Sequence, residues 1–349
     1  MSNYDQFAAA VKEISGGKNI VLLDDLGLPS VYVPINKLKN SEIISGGSEN
    51  THPAFSVNGV EKSRFLYSKY QNIVINGRAY SLSHRDPKTY VNFDQARQAC
   101  EAKGAGFHLG TLAEWAAVAL LTRKMGTMPH GNNNYGGDSA YTYEKGQESA
   151  KDNNKTGRTF TGSGPATWGH DHTQFGIQDM NGNVWEWLGG MRLNEGEIQI
   201  IPYNNAALGS ECDMSASSTL WKAIKNDGSL VAPGTAATLK YDFVSNNIQL
   251  TTGITSAQDA GRGGSYTAMT LASGVTAPEL AKALILYPDE PGKDYGGDYH
   301  WMNNAGERLP IAGGSWHDGA NAGVFLLGLS NARSHSYGDF GFRSAYVEL

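Results

Sequence analysis

Asp179-Met-Asn-Gly-Asn-Val-Trp-Glu-Trp187 is the stretch on which the fold of this chain turns. Asn181-Gly182 supplies the residue types that a tight turn requires, because both tolerate a left-handed backbone. The run behind it alternates as a strand does, so Val184 faces one way and Trp185 and Trp187 face the other. Two indoles on one strand face could line a ligand groove or anchor a core. The anchor reading is the stronger, since truncating a buried tryptophan costs ~3–5 kcal/mol. Trp185 and Trp187 are therefore expected in the framework, with Trp185→Ala costing ~3 kcal/mol or more.

Downstream, Ile311-Ala-Gly-Gly-Ser-Trp316 and Gly338-Asp-Phe-Gly-Phe-Arg-Ser-Ala-Tyr-Val347 each read as a turn running into a strand. Upstream, two helices carry clear start signals. Asn92-Phe-Asp-Gln95 caps a helix reaching about Lys103, and Thr111-Leu-Ala-Glu114 is a capping box ahead of Trp115, Val118 and Leu121, closed by Gly126. Asn76-Gly77 between apolar runs predicts a hairpin over 72–82. Nearer the start, Phe7, Val11 and Ile14 mark a short amphipathic helix over 5–14, followed by strands Ile20–Leu23 and Val31–Ile35. The polar Ser45–Pro53 stretch reads as a boundary, with 1–51 a small N-terminal domain for attachment or oligomerisation. Residues 127–175 read as loops, and 193–310 as a long mixed insertion with a strand over 239–244 and a helix over 280–286.

The composition sets the outer limits. The chain has 349 residues, 43 of them Gly and 17 Tyr, with 18% charged residues and a net charge of -6. Such a chain favours turns and loops held by aromatic anchors. Its acidity (pI ≈ 5.8, mean hydropathy -0.39) argues against a nucleic-acid surface. No apolar run approaches the ~20 residues needed to cross a bilayer, and Met1-Ser-Asn-Tyr-Asp-Gln-Phe7 lacks the features of a secretion signal. Delivery inside a phage or prophage virion is the expectation that follows. Cys100 and Cys212 lie far apart and outside any CxxC pattern, so buried free thiols are expected over a zinc site or disulfide framework.

Taken in order, the Asn92–Cys100 helix, the Thr111–Trp115 helix start, Asn181–Trp187, Gly313–Trp316 and Gly341–Arg343 resemble the formylglycine-generating-enzyme version of the C-type lectin fold. The likeness spans roughly residues 60–349. It implies an α+β domain over 52–349 in which Trp115, Trp185, Trp187 and Arg343 are framework. Within that fold the tail from Gly313 to Arg343 is similar to that of the variable proteins of diversity-generating retroelements. That resemblance implies a hypervariable, non-catalytic ligand-binding segment diversified at adenine-containing codons.

A chemical test follows from the genetics. Changing only the two adenines of AAC or AAT can produce His, Asp, Gly, Ser, Tyr, Leu or Phe. Those types stand at His317, Asp318, Leu326, Gly328, Ser330, His335, Tyr337 and Asp339, and Phe340 can arise from an Ile codon. These nine are the expected contact residues, with Trp316 as an aromatic neighbour. The implied partner is a protein or glycan on a bacterial surface. A homo-oligomer fits that role, whereas nucleic acid and membrane insertion do not.

Three rival readings were weighed. The enzymes of the family work through a cysteine pair near the C-terminus that binds copper, yet this chain has no cysteine beyond Cys212. Sulfoxide-synthase relatives bind iron through histidines, and His170-Asp-His172 with His130 is the nearest match, although they read as loop residues; His108 and His300 lack partners in sequence. Calcium-dependent lectins use Glu-Pro-Asn, Gln-Pro-Asp and Trp-Asn-Asp triplets, none of which occurs here. No cofactor is expected, leaving room only for a structural calcium on backbone and Asp or Asn oxygens.

Overall fold

A computed structural model describes residues 3–349. Two antiparallel-rich sheets and two core helices build the molecule. The first sheet has five strands in the order Ile20–Leu23, Pro29–Asn36, Arg64–Ser68, Ser344–Tyr346, Phe107–Leu109. Every neighbouring pair is antiparallel. The last strand of the chain thus enters between two strands from its first third, which fixes the tail against the N-terminal half.

The helix ends follow the capping chemistry of the sequence. Asn92 Oδ1 accepts from Gln95 N at 2.9 Å while Gln95 Oε1 accepts from Asn92 N at 3.1 Å, opening the helix Phe93–Glu101. Thr111 and Glu114 exchange the same pair of bonds at 3.2 and 3.0 Å ahead of the helix Leu112–Met125. That helix stops at Gly126, whose φ of 70° suits a residue without Cβ. Its sequence is apolar on most of its circumference, and ten of its residues are buried, as a helix sandwiched between layers requires. The capping Glu114 is itself buried, and accepts in addition from Asn204 Nδ2 at 3.1 Å and lies 2.8 Å from His108 Nε2.

The second sheet has thirteen strands. Its main path runs Arg262–Ser265, Tyr299–Met302, Gly323–Asn331, Glu307–Gly313, Met191–Asn194, Glu197–Ile200, Lys240–Val244, Asn247–Thr251, Thr270–Leu271. Trp185–Trp187 joins it antiparallel to Glu307–Gly313 and parallel to Phe340–Phe342. The sheet curls, because a Cβ placed on Gly264 would lie 3.6 Å from Asn246 O near the far end of the path.

One expectation about organisation is corrected. Residues 1–51 do not form a domain of their own. Strand Pro29–Asn36 pairs along its length with Arg64–Ser68, and Tyr32, Val33 and Ile35 are core residues. The supposed boundary is tied down by Ser48, whose N and Oγ donate to Glu279 at 2.6 and 2.7 Å, and by Ser45 N donating to Asp289 at 2.9 Å. The long 193–310 insertion contributes most of the second sheet. A helix does form near 280–286, but only over Glu279–Ala283; Ile285 already has a φ of 49°. Cys100 and Cys212 are buried and free.

Candidate ligand-binding face

The platform beneath the tail is a buried ionic knot. Arg343 pairs with Glu186 in a bidentate arrangement, Nε to Oε2 and Nη2 to Oε1, and both are almost wholly inaccessible to solvent. The same guanidinium donates to Ser68 O at 3.1 Å and Gln178 O at 3.0 Å, joining three segments of chain. Gln71 Nε2 sits at 3.1 Å from each of Asp179 O, Val184 O and Glu186 Oε1, and 3.4 Å from Gly182 O. A convergence of backbone and carboxylate oxygens is thus filled by an amide of the chain itself. Around it, Trp187 donates its Nε1 to Val91 O at 2.9 Å and Trp115 donates to Val324 O at 2.7 Å. Each indole proton has a partner, which removes the main cost of burying these rings.

Six of the nine sequence-predicted contact residues reach the surface above this platform. His317 and Tyr337 are exposed; Asp318, Ser330, His335 and Asp339 are half-buried. His335 Nδ1 lies 3.1 Å from Asn331 Oδ1, next to Ser330, and its ring meets Tyr337 edge-on at 5.5 Å. Burial raises the Asp339 carboxyl above the usual carboxylate range; His317 opposes that shift, and Asp318 and Asp152 add to it. Asp318 closes a turn, accepting from Ser315 N at 2.7 Å and Ser315 Oγ at 2.8 Å. His317 and Asp318 thus share one turn, and His335 and Tyr337 form one ring pair.

The other three are corrected. Leu326 is fully buried in the core, against Gly314 and Ala322. Gly328 is buried where a Cβ would lie 2.9 Å from Ile311 Cγ1 and 3.4 Å from Trp185, so packing excludes a side chain there. Phe340 stands edge-on to Trp187 at 5.5 Å and is a core aromatic. The physical reason is shared. Gly323–Asn331 is paired on both sides, by Tyr299–Met302 and Glu307–Gly313, and its residues 323–329 are buried whichever way they point. Trp316 is mostly buried too, touching His317 edge-on at 5.6 Å.

Residues from outside the tail complete the face. Tyr90 is 68% exposed, adopts φ 52°, donates its amide to Tyr337 O at 3.0 Å and lays its phenol against Gly338. Asp152 accepts from Trp316 Nε1 at 3.1 Å, Tyr135 N donates to Trp316 O at 2.7 Å, and Lys155 stands 4.2 Å over the Tyr135 ring. Arg158 donates to Gly338 O at 3.2 Å and pairs with Asp86 at 2.9 Å. These partners are far from the tail in the sequence, Arg158 being 180 residues from Gly338 and Tyr90 farther still, so no local pattern announces them.

His130, His170 and His172, considered as ligands, are each hydrogen-bonded elsewhere. His170 accepts from Ile177 N at 2.9 Å, and burial pushes its pKa down to about 4. His172 Nε2 bonds Met128 O at 3.0 Å, and His130 Nδ1 lies 3.0 Å from Glu144. His300 is buried and stacked on Tyr266 at 4.8 Å. Among the described residues, no group of three or more His, Cys, Asp and Glu is placed to hold a metal ion. Nor is any helix there long and apolar enough to cross a membrane.

Comparison with known proteins agrees with this architecture. The sequence profile of the sulfatase-modifying factor enzyme 1-like domain (FGE-sulfatase) matches residues 35–269. No curated protein sequence matches the chain. Among solved structures, the chain resembles Treponema denticola variable protein 1 at a TM-score of 0.33 and 13% identity, covering 94% of this chain and 98% of that one. It also resembles the Major Tropism Determinant U1 variant at a TM-score of 0.31 and 10% identity, over 90% of this chain and 62% of that one. The P3c variant gives 0.31 and 10%, over 94% and 71%. The profile covers well over half of the chain, and the fold is α+β and C-type-lectin-like, as the order of motifs led us to expect. The chain belongs to the FGE-sulfatase family, that of the sulfatase-modifying factor enzyme 1-like domain.

Proposed function

We propose that this protein is a non-catalytic receptor-recognition protein whose tail is diversified by a retroelement. The observation that carries the reading is that His317, Asp318, Ser330, His335, Tyr337 and Asp339 all reach solvent, while the platform below them is closed by the buried Arg343–Glu186 pair. Side chains in such a position can change without loosening the packing below them. Tyr and His offer large amphipathic contact area at low entropy cost, while Ser adapts its hydrogen bonds. The catalytic alternative lacks its thiol pair: the sequence holds only Cys100 and Cys212, both buried and neither in the tail. The ligand is a protein or glycan on a bacterial surface, the carrier a phage or prophage virion, and a homo-oligomer would raise avidity by presenting several such faces.

The test is genetic. The reading expects an adenine-rich near-copy of the 3′ coding segment beside the gene, together with a reverse-transcriptase gene. Sibling sequences from the locus should differ at 317, 318, 330, 335, 337 and 339, and hold Gly328 and Phe340 constant. A locus without the near-copy would leave a binder of fixed specificity instead.

A further inference from the structure

Beyond the displayed face, a cavity of about 850 Å³ opens on the other flank of the 317–323 loop. Its wall includes Ala320, Ala322, Gly323 and Val324 of the tail. Most of the rest comes from the end of the helix Leu112–Met125, the 128–141 loop and the 289–298 segment, with Ile43–Ser45, His172 and Asn181 at its edges, all outside the diversified positions. The volume lies in the range that small-molecule and side-chain subsites occupy.

Its charges do not balance. Five carboxylates line it (Asp138, Asp289, Glu290, Asp294, Asp298) against three cations (Arg123, Lys124, Lys293). Most have an evident role. Arg123 is spent on Asp289 and Glu290, at 3.3 and 2.8 Å. Asp138 accepts from three backbone amides, of Gly131, Ala140 and Tyr141. Asp294 accepts from Gly296 N at 2.8 Å.

Asp298 is different. It is 2% exposed, and its Oδ2 accepts from Phe325 N at 2.7 Å, but no bond is made to Oδ1 among the described residues. Among the described residues no ion pair reaches it, and Asp294 adds a like charge to the effect of burial. The other buried carboxylates nearby are treated otherwise: Glu186 has Arg343 and Asp289 has Arg123. Room has also been made for this one, since a Cβ on Gly323 would lie 2.1 Å from Asp298 Oδ1. Burial pushes this carboxyl well above the usual carboxylate range, so in the empty cavity it is relieved by a proton, which a cation from outside the chain can replace. The aromatic wall fits the same kind of partner. Tyr141 lies flat on His130 at 3.7 Å and 11°, yet remains 42% exposed. A phenol ring held in this way offers its free face to a cation.

We propose that this cavity is a fixed subsite for an organic cation, an ammonium or guanidinium group, countered by Asp298 and Asp294 and walled by Tyr141. The group can belong to a Lys or Arg side chain of a protein ligand or to a free amine. The subsite stands on its own residues, so it holds whether or not the tail is diversified.

Calorimetric titration of the full chain tests it with three probes: agmatine as the free cation, Gly-Arg-Gly as the side-chain source, and Gly-Gln-Gly as the uncharged control, both peptides N-acetylated and C-amidated so that the arginine side chain carries the only charge. The proposal expects at least one cation to bind tenfold or more tightly than the control. Asp298→Asn, which keeps an oxygen for Phe325 N, should weaken that binding tenfold or more, and Tyr141→Ala should weaken it severalfold. Agmatine alone would identify a small-molecule ligand, and the peptide alone a protein one; either outcome supports the site. Should Asp298→Asn fail to fold, Tyr141→Ala carries the test, because that residue is partly exposed and its loss leaves the core intact. Equal binding of Gly-Gln-Gly, no cation binding at millimolar concentration, or unchanged affinity in folded variants would overturn the proposal.

Discussion

Asp179 holds a left-handed backbone (φ 61°), accepts from Gly162 N at 2.8 Å through Oδ2, and buries Oδ1 without a partner among the described residues. Burial raises its pKa from 3.8 to about 6. An acid raised in this sense stabilises the fold fully below its unfolded value. The stability is lost as pH climbs through the folded value, leaving a cost of roughly 3 kcal/mol at neutral pH. Asp179→Asn keeps the Gly162 bond and tolerates the same φ. The variant should therefore be more stable than the parent by ~1–3 kcal/mol at pH 7.5, and the gap should close below pH 4. Urea unfolding at both pH values measures this, and an equal offset at each would refute the burial argument. The tail divides on the same scale. His335→Ala and Tyr337→Ala should shift stability by no more than ~0.5 kcal/mol. Phe340→Ala should cost ~3–5 kcal/mol and Gly328→Ala ~1–3, the first through a cavity and the second through overpacking against Ile311. Denaturant midpoints at constant slope will rank the four.

Elements were legible where their chemistry is local. The capping boxes at Asn92 and Thr111, the Gly126 stop, the Asn76-Gly77 hairpin over 73–80 and the strand over 240–244 all stand where their residues put them. Legibility failed where pairing decides. Nothing in Leu326 or Gly328 tells a reader that strands flank them on both sides, so types that a codon argument marks as variable turn out to be core. The Ser45–Pro53 stretch has linker composition, yet Glu279, more than 200 residues away, holds it. The same lesson applies to the first strands and gives a prediction. The helix Asn3–Ile14 buries none of its residues, so deleting it should leave the unfolding midpoint nearly unchanged. Deletion through Asn36 strips Tyr32, Val33 and Ile35 from the core and bares the Arg64–Ser68 edge. That shorter chain should be aggregated or open, with strong dye binding and a lost near-ultraviolet dichroism signal. A cooperative, native-like 37–349 chain would restore the idea of a separate N-terminal domain.

Across the whole molecule, the face and its foundation belong to different interactions. The foundation is closed by long-range pairs: Arg343 with Glu186, Trp115 with Val324 and the C-terminal strand between two N-terminal ones. The face is a set of side-chain tips whose mutual contacts are mostly edge-on rings and single hydrogen bonds at its rim. Substitutions at well-separated tips should then add without coupling to the core. Replacing His317, Ser330, His335 and Tyr337 together by alanine should lower stability by less than ~2 kcal/mol and leave the denaturant slope unchanged. Asp318 is left out of the set because it closes the Ser315 turn, and its own loss should cost ~1 kcal/mol. The fourfold variant should retain its fold while losing adhesion to any bacterium that the parent binds. If instead its unfolding broadens or its midpoint collapses, the tips are carrying the scaffold, and a surface free to vary cannot be what the tail is for.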